Sequence, residues 1–431
     1  MVHAVMEPGL LGAKVIELAP GDRNTALGAL TFAGLLVAVV AQPIVGAISD
    51  RTRSRFGPRL PWMAIGCVIC ALAGALTVLA PAFWLLLLAY ALVQLGTNTI
   101  QGPWQAVVPD EVPRHGHGRA AAIKSVLEMA SAVAGRAATG ELLAQEPAWG
   151  RGVLWLALAM AGASLAAALV ITALSLRARV SKERSGVTAR RHLHGNASPG
   201  SSAGVGGPSR SGATHVSNAP SERALVMLGE SLSILRGDRV FRLWFANRVL
   251  FWGAFITVTT FLLFFAIDVV GLSEAEAQSF VGRVSAVVGV VLVIAVLIVG
   301  RLSDRLGRRT FLIAAGALCA LGASLLLVVR DRLGVSVSAG LVALGCGLYM
   351  AASWALITET VPPEHAARGL GLANIATAGA SAIVRLPAGA LIDETNRRSG
   401  DTASGYLLVY ALGALAFAAS ALVAARLPTR R

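Results

Sequence analysis

Gln94, Asn98 and Gln101 recur at i, i+4 and i+7 inside an apolar run, and Trp104 follows close behind. Residues at that spacing share one face of a helix, so a row of neutral amides would stand beside an indole. Such a face suits a polyhydroxylated solute, whose hydroxyls pair with amides and whose ring face stacks on tryptophan. The same amides could instead join neighbouring helices. One run further on, Lys124, Glu128 and Arg136 bring charge into a second apolar stretch, where charges must face a cavity or one another. Lys124 and Glu128 are four apart and can pair. Glu128 is the one acid well inside an intact run, which makes it the candidate proton-coupling group. A static Lys124–Glu128–Arg136 network is the alternative.

The elements that must position these groups are membrane helices. The 431 residues are 55% hydrophobic and only 14% charged, where soluble domains carry roughly a quarter of charged residues. Apolar runs of about 20 residues fall at 25–48, 61–80, 82–104, 119–145, 153–177, 242–268, 279–300, 310–330, 333–357, 366–392 and 404–425. Each is expected to be a helix, since an open sheet leaves its backbone unsatisfied in lipid. The fold class is therefore an all-α membrane protein. Of the 37 Lys and Arg, only Arg23, Arg151, Arg330, Arg332, Arg397 and Arg398 fall in loops on the outer side. That bias places both termini of the complete protein in the cytoplasm and the chain in the cell membrane as a multi-pass protein. The net charge of +14 is then an insertion signal rather than a nucleic-acid surface, and the lipid bilayer is the partner that the composition demands. Cys67 and Cys70 have redox spacing, but on an apolar helix they read as small packing residues. No phosphate-cradling loop, nucleophile–base pair or metal cluster is visible, so neither an enzyme nor a cofactor is expected. The chain is expected to act as a monomer.

The sequence also repeats itself. Gly46-Ala-Ile-Ser-Asp50-Arg51-Thr-Arg53-Ser-Arg55-Phe-Gly57-Pro-Arg59 closes one run, and Gly300-Arg-Leu-Ser-Asp304-Arg305-Leu-Gly307-Arg308-Arg309 closes another at an offset of 254 residues. Glycines there let helices approach closely, and an aspartate at a helix end can hold an arginine or a helix N-terminus. Together with Asp110 and Glu359, these residues form the expected cytoplasmic gate. At an offset of 249, Asp110 meets Glu359, Ser125 meets Asn374, Arg136 meets Arg385 and Gly140 meets Gly389, and Trp354 matches Trp104 after a one-residue slip. Parallel halves of this kind place a solute at their interface, so Trp354, Asn374 and Arg385 join Gln94, Asn98, Gln101, Trp104 and Arg136 as candidate binding residues. The domains expected are an amino-terminal bundle (1–177), a cytoplasmic linker that is largely disordered (178–241) and a carboxy-terminal bundle (242–431).

The paired motifs resemble those of the major facilitator superfamily. Asp50-Arg51-Thr-Arg53-Ser-Arg55-Phe-Gly57-Pro-Arg59-Leu-Pro61-Trp62 and Asn98-Thr-Ile-Gln-Gly102-Pro103 are similar to the glycoside–cation symporter branch, its sucrose carriers in particular. The resemblance implies twelve helices in two six-helix bundles, a central sugar site and alternating access driven by protons. It also marks a departure, because those carriers place an aspartate four residues before the asparagine, where this chain has Gln94. Coupling by that group is thus in question, and an uncoupled facilitator stands beside the symporter. A drug–proton antiporter shares the cytoplasmic motif but carries a Gly-Pro-rich signature absent from the run at 119–145. A receptor or scaffold without transport is the alternative of another class.

The offset of 254 places Met1 opposite Phe255, midway through the run that opens the second half. About 13 residues of the first helix, ~20 Å at 1.5 Å per residue, then have no counterpart. Val2 to Leu18 is short and charged for a bilayer of roughly 30 Å. A truncated first helix is expected to leave the amino-terminal bundle open and the site incomplete.

Overall fold

The computed structural model describes residues 2–54, 56–112, 117–194, 239–360 and 366–428. Among these the chain is helical throughout, with no strand. The first half comprises α1 (Val2–Val5), a wide turn over Met6–Leu10, α2 (Leu11–Leu18), α3 (Arg23–Arg51), α4 (Leu60–Leu79), α5 (Phe83–Glu111), α6 (His117–Leu143), the short α7 (Glu146–Trp149) and α8 (Gly152–His194). The second half comprises α9 (Arg239–Thr260), α10 (Leu262–Asp268), α11 (Glu274–Leu306), α12 (Arg308–Leu325), α13 (Arg332–Thr360), α14 (Ala366–Ser399) and α15 (Ser404–Ala424). Every expected run is matched by a helix or by the α9–α10 pair. Gly57 and Gly307, at φ +85° and +81°, turn the chain between α3 and α4 and between α11 and α12. Before α15, Asp401 is held below the usual carboxylate range by hydrogen bonds from the Ser404 hydroxyl and the Ala403 N–H.

Among the described residues, eight helices are long and apolar enough to cross a membrane, and the bent α9–α10 pair makes nine. The helices α6 and α14 are not among them, and they carry Arg136 and Arg385. Their polarity is explained by position: each lies against the opposite half. The halves meet along two crossings, α3 with α14 and α6 with α11. Exchanging the halves turns one crossing into the other. Glycines make both contacts possible. A Cβ on Gly28 would lie 2.6 Å from the Arg385 carbonyl, and one on Gly389 would overlap the Asn24 carbonyl. At the other crossing, Gly140 faces the Gln278 carbonyl and Gly282 faces Gly140. Cysteines follow the same symmetry. Cys70 Sγ sits under Gly96 and beside the Val93 carbonyl, as Cys319 Sγ sits under Gly345 and beside the Val342 carbonyl. All four cysteines are free thiols.

Polar contacts tie the halves together at the end where α3 begins. Asp393 of α14 accepts the Thr25 N–H (2.7 Å), the Thr25 hydroxyl (2.7 Å) and the Asn24 amide (2.8 Å), so it caps the first turn of α3 from the opposite half. Arg23 pairs with Asp268, which also accepts the Tyr406 hydroxyl at 2.6 Å. Glu141 of α6 pairs with Arg283 of α11 at 3.1 Å.

Two expectations change. The helix α8 continues to His194, through residues assigned to the disordered linker, because Lys182-Glu-Arg and Ala189-Arg-Arg are good helix formers that extend the preceding span. Residues 195–238 lie outside the described set. The amino-terminal segment does not stand apart from an open bundle. Val5, Met6, Leu10, Leu11 and Val15 are at most 1% exposed, and the segment packs on α3, α5, α6 and α8. A kink at Glu7 (φ −110°, ψ 128°) lets this short stretch follow the bundle.

Gly389→Ala should push α14 from α3 and cost about 1–3 kcal/mol, read as a fall in thermal unfolding temperature. Gly379→Ala on the same helix meets nothing within 4 Å, so its unfolding temperature should equal or exceed the parent's.

Candidate functional site

Two helix breaks sit at equivalent positions. The first is at Glu7, and the second is at Phe261, between α9 and α10, which bend by 43°. The two residues differ by the same 254 that relates Asp50 to Asp304. Interrupted helices at corresponding places in two halves mark the solute site of many carriers, and here both breaks border one cavity of about 150 Å³. Its walls repeat the symmetry: Leu27 with Val281, Thr31 with Ser285 and Arg136 with Arg385. The cavity holds about five waters at ~30 Å³ each and falls short of the ~300 Å³ of small ligand pockets.

Arg136 from α6 and Arg385 from α14 converge on Glu7. Arg385 Nη1 lies 3.3 Å from Glu7 Oε2, and both side chains are largely buried. Arg136 lines the same cavity and interacts electrostatically with both Glu7 and Arg385. The other Glu7 oxygen accepts the Tyr90 hydroxyl, which accepts the Gln94 amide at 2.7 Å. A relay thus runs Gln94–Tyr90–Glu7–Arg385 from the core of the first half to the second. Sequence reasoning brought Arg136 and Arg385 together by their offset but passed over Glu7, because Val2 to Leu18 was read as the short, charged remnant of a truncated first helix. The signal was present: Glu7-Pro8-Gly9 interrupts an apolar stretch opposite Phe261.

The family model of the Major Facilitator Superfamily matches residues 21–384. The chain belongs to the major facilitator superfamily. It is 34% identical over 95 residues to an uncharacterized symporter of Synechocystis sp. and 31% identical over 112 residues to a sucrose transport protein of Oryza sativa subsp. japonica. These matches cover 19% and 21% of this chain, and 18% and 21% of those proteins. The nucleoside transporter NupG superposes with a TM-score of 0.67 at 14% identity, covering 98% of this chain and 96% of that one. A D-xylose–proton symporter superposes at 0.64 with 14% identity, covering 99% and 94%. These likenesses establish the fold.

Within this facilitator fold the expected residues divide. The amides turn away from the cavity. Gln94 packs under Gly34 of α3, and Asn98 donates to the Gln94 carbonyl of its own helix at 2.8 Å. Gln101 and Trp104 do not line the cavity. Trp104 lies beneath Lys124 (4.9 Å), which pairs with Glu128 at 3.7 Å on an exposed face. Asp50 pairs with Arg59 of the adjoining loop, which also bonds Ser49 (3.1 Å), while Arg51 is exposed. A Cβ on Gly46 would meet nothing within 4 Å, and the close approach there is made by Gly102 over the Gln42 carbonyl (3.0 Å). Arg309 donates to the Ala425 carbonyl at the end of α15. Arg55 lies outside the described residues, as do the side chains of Asp110, Asp304, Arg305, Trp354, Glu359 and Asn374 and the surroundings of Gly300.

Tyr90→Phe leaves the buried Gln94 amide and one Glu7 oxygen without a partner, a cost of about 1–3 kcal/mol. Thermal unfolding of the purified protein should register that loss. Tyr90→Phe with Gln94→Leu should recover part of it, because removing both partners leaves less polarity stranded.

Proposed function

We propose that this chain is a secondary carrier that moves a small hydroxylated solute, of saccharide or nucleoside size, by alternating access coupled to a proton. The observation that carries the reading is the convergence of equivalent residues, Arg136 with Arg385 and Thr31 with Ser285, on one cavity between the halves. A site on a pseudo-two-fold axis is reached from either side when the halves rock about it. The end closed by Asp393, Arg23 and Asp268 is the outer one by the positive-inside rule, so the conformation is closed to the outside.

Glu7 is the proton carrier in this proposal. The titratable and charged groups facing it are Tyr90 from α5, Arg136 from α6 and Arg385 from α14. Protonating Glu7 releases Arg385, and that change can be felt by both halves at once. Glu128 is the second candidate. Its pairing with Lys124 on an exposed face favours a supporting role.

Reconstitution of the full chain in proteoliposomes tests the reading, with labelled sugars and nucleosides and an acidic exterior. Uptake should exceed that of protein-free vesicles and fall when the pH gradient is dissipated. Glu7→Gln should abolish accumulation while sparing exchange across the membrane, and Glu128→Gln should still accumulate solute. Absence of uptake for every compound would leave a scaffold as the better description, and accumulation by Glu7→Gln would remove Glu7 from coupling.

A further inference from the structure

We infer that the transported solute is itself an anion, whose carboxylate or phosphate group takes the place of Glu7 between Arg136 and Arg385. This rests on the carrier reading and names the solute class of the same site. Among the described residues lining the cavity, the charged residue types are Glu7, Arg136 and Arg385, so the formal charge of the lining is +1. A positive charge held between membrane helices is costly until an anion meets it. The arginines also have donors to spare. The Nε of Arg385 is buried without a partner. Arg136 makes no hydrogen bond or ion pair among the described residues, and its only close electrostatic companions are Glu7 and Arg385. Each guanidinium offers five N–H groups in a plane that fits a carboxylate or phosphate through two parallel bonds. Glu7 engages one of these groups, at 3.3 Å.

The remaining lining fits the rest of such a molecule. The hydroxyls of Thr31, Thr259, Thr260 and Ser338 donate to the carbonyls of Leu27, Phe255, Ile256 and Gly322. Their protons are therefore engaged, and the lone pairs left over can accept from hydroxyl groups. One region offers acceptors to an alcohol and another offers cationic donors to an acid. A hydroxylated acid satisfies both, whereas a neutral sugar leaves the surplus charge unmatched. Glu7 then acts as an internal stand-in that the solute displaces.

The test uses the purified full chain and two sets of matched probes: galactose, galacturonate and galactose 6-phosphate, then glycerol, glycerate and glycerol 3-phosphate. Affinity is measured by titration calorimetry and by ligand-induced thermal stabilisation. At least one acid should bind about tenfold or more tightly than its neutral parent, and the carboxylate and phosphate arms show which headgroup is taken. Glu7→Gln should tighten that acid by about tenfold, a gain that misfolding cannot imitate. Arg136→Gln should erase the preference for the acid, and Arg136→Lys should keep part of it. Equal affinity for acids and parents, no binding of any acid, or weaker acid binding by Glu7→Gln would overturn the inference. Uptake of a neutral sugar alone would overturn it while leaving the carrier reading intact. An acid that binds but never enters vesicles would overturn the carrier reading and leave the anion site standing.

Discussion

Charged groups gathered between helical bundles persist only if they face one another, and Glu7, Arg136 and Arg385 meet that condition by coming from three separate elements. Arg136 and Arg385 belong to α6 and α14, which are not among the helices apolar enough to cross a membrane and which pack against the opposite half. Glu7 comes from a helix that is broken at that residue. An intact helix would direct successive side chains around a cylinder, whereas the kink sets the carboxylate between two arginines. An irregular stretch of backbone thus sits where charge must be matched.

Around this centre the contact between halves is made by backbone at one end and by charge at the same end. Gly28 against the Arg385 carbonyl and Gly140 against Gly282 bring main chains to touching distance, a contact that small residues alone permit. Such a surface has few side chains to interlock, so it can close and part without repacking a core. Asp393 supplies direction to that closure. By capping α3 from the opposite half, it stabilises the joined state only. A contact that depends on both halves and vanishes on separation is the kind of differential interaction that a two-state switch requires.

Much of the fold was legible because hydrophobic length and charge bias report directly on membrane helices. Each apolar run became a helix, and the offset joining Arg136 to Arg385 placed both at one cavity. Sequence left the role of the amide face open for a physical reason. Gln94, Asn98 and Gln101 do share a helix face, but periodicity cannot tell a face that meets solute from one that meets another helix. Gly34 on α3 decides the matter by admitting Gln94 so closely that its amide is enclosed. Glu7 escaped notice because length was used to judge whether a segment matters. A stretch too short to span can still reach the centre when its neighbours carry the rest of the wall.

The repeat itself shows where the halves stopped being equivalent. Carrying the offset of 249 forward, Tyr90 and Gln94 correspond to Ala339 and Ala343, and both alanines line the cavity. The second half thus keeps smooth walls where the first has built a polar relay. That asymmetry bears on the missing aspartate of the sucrose-carrier pattern. A carboxylate at position 94 would lie against α3 beside Gly34, within one hydroxyl of the cavity. This chain has glutamine there, a carboxylate stands one step further along at Glu7, and Tyr90 is the group that joins the two positions. That carboxylate sits on a different element, beside both arginines and between the two halves.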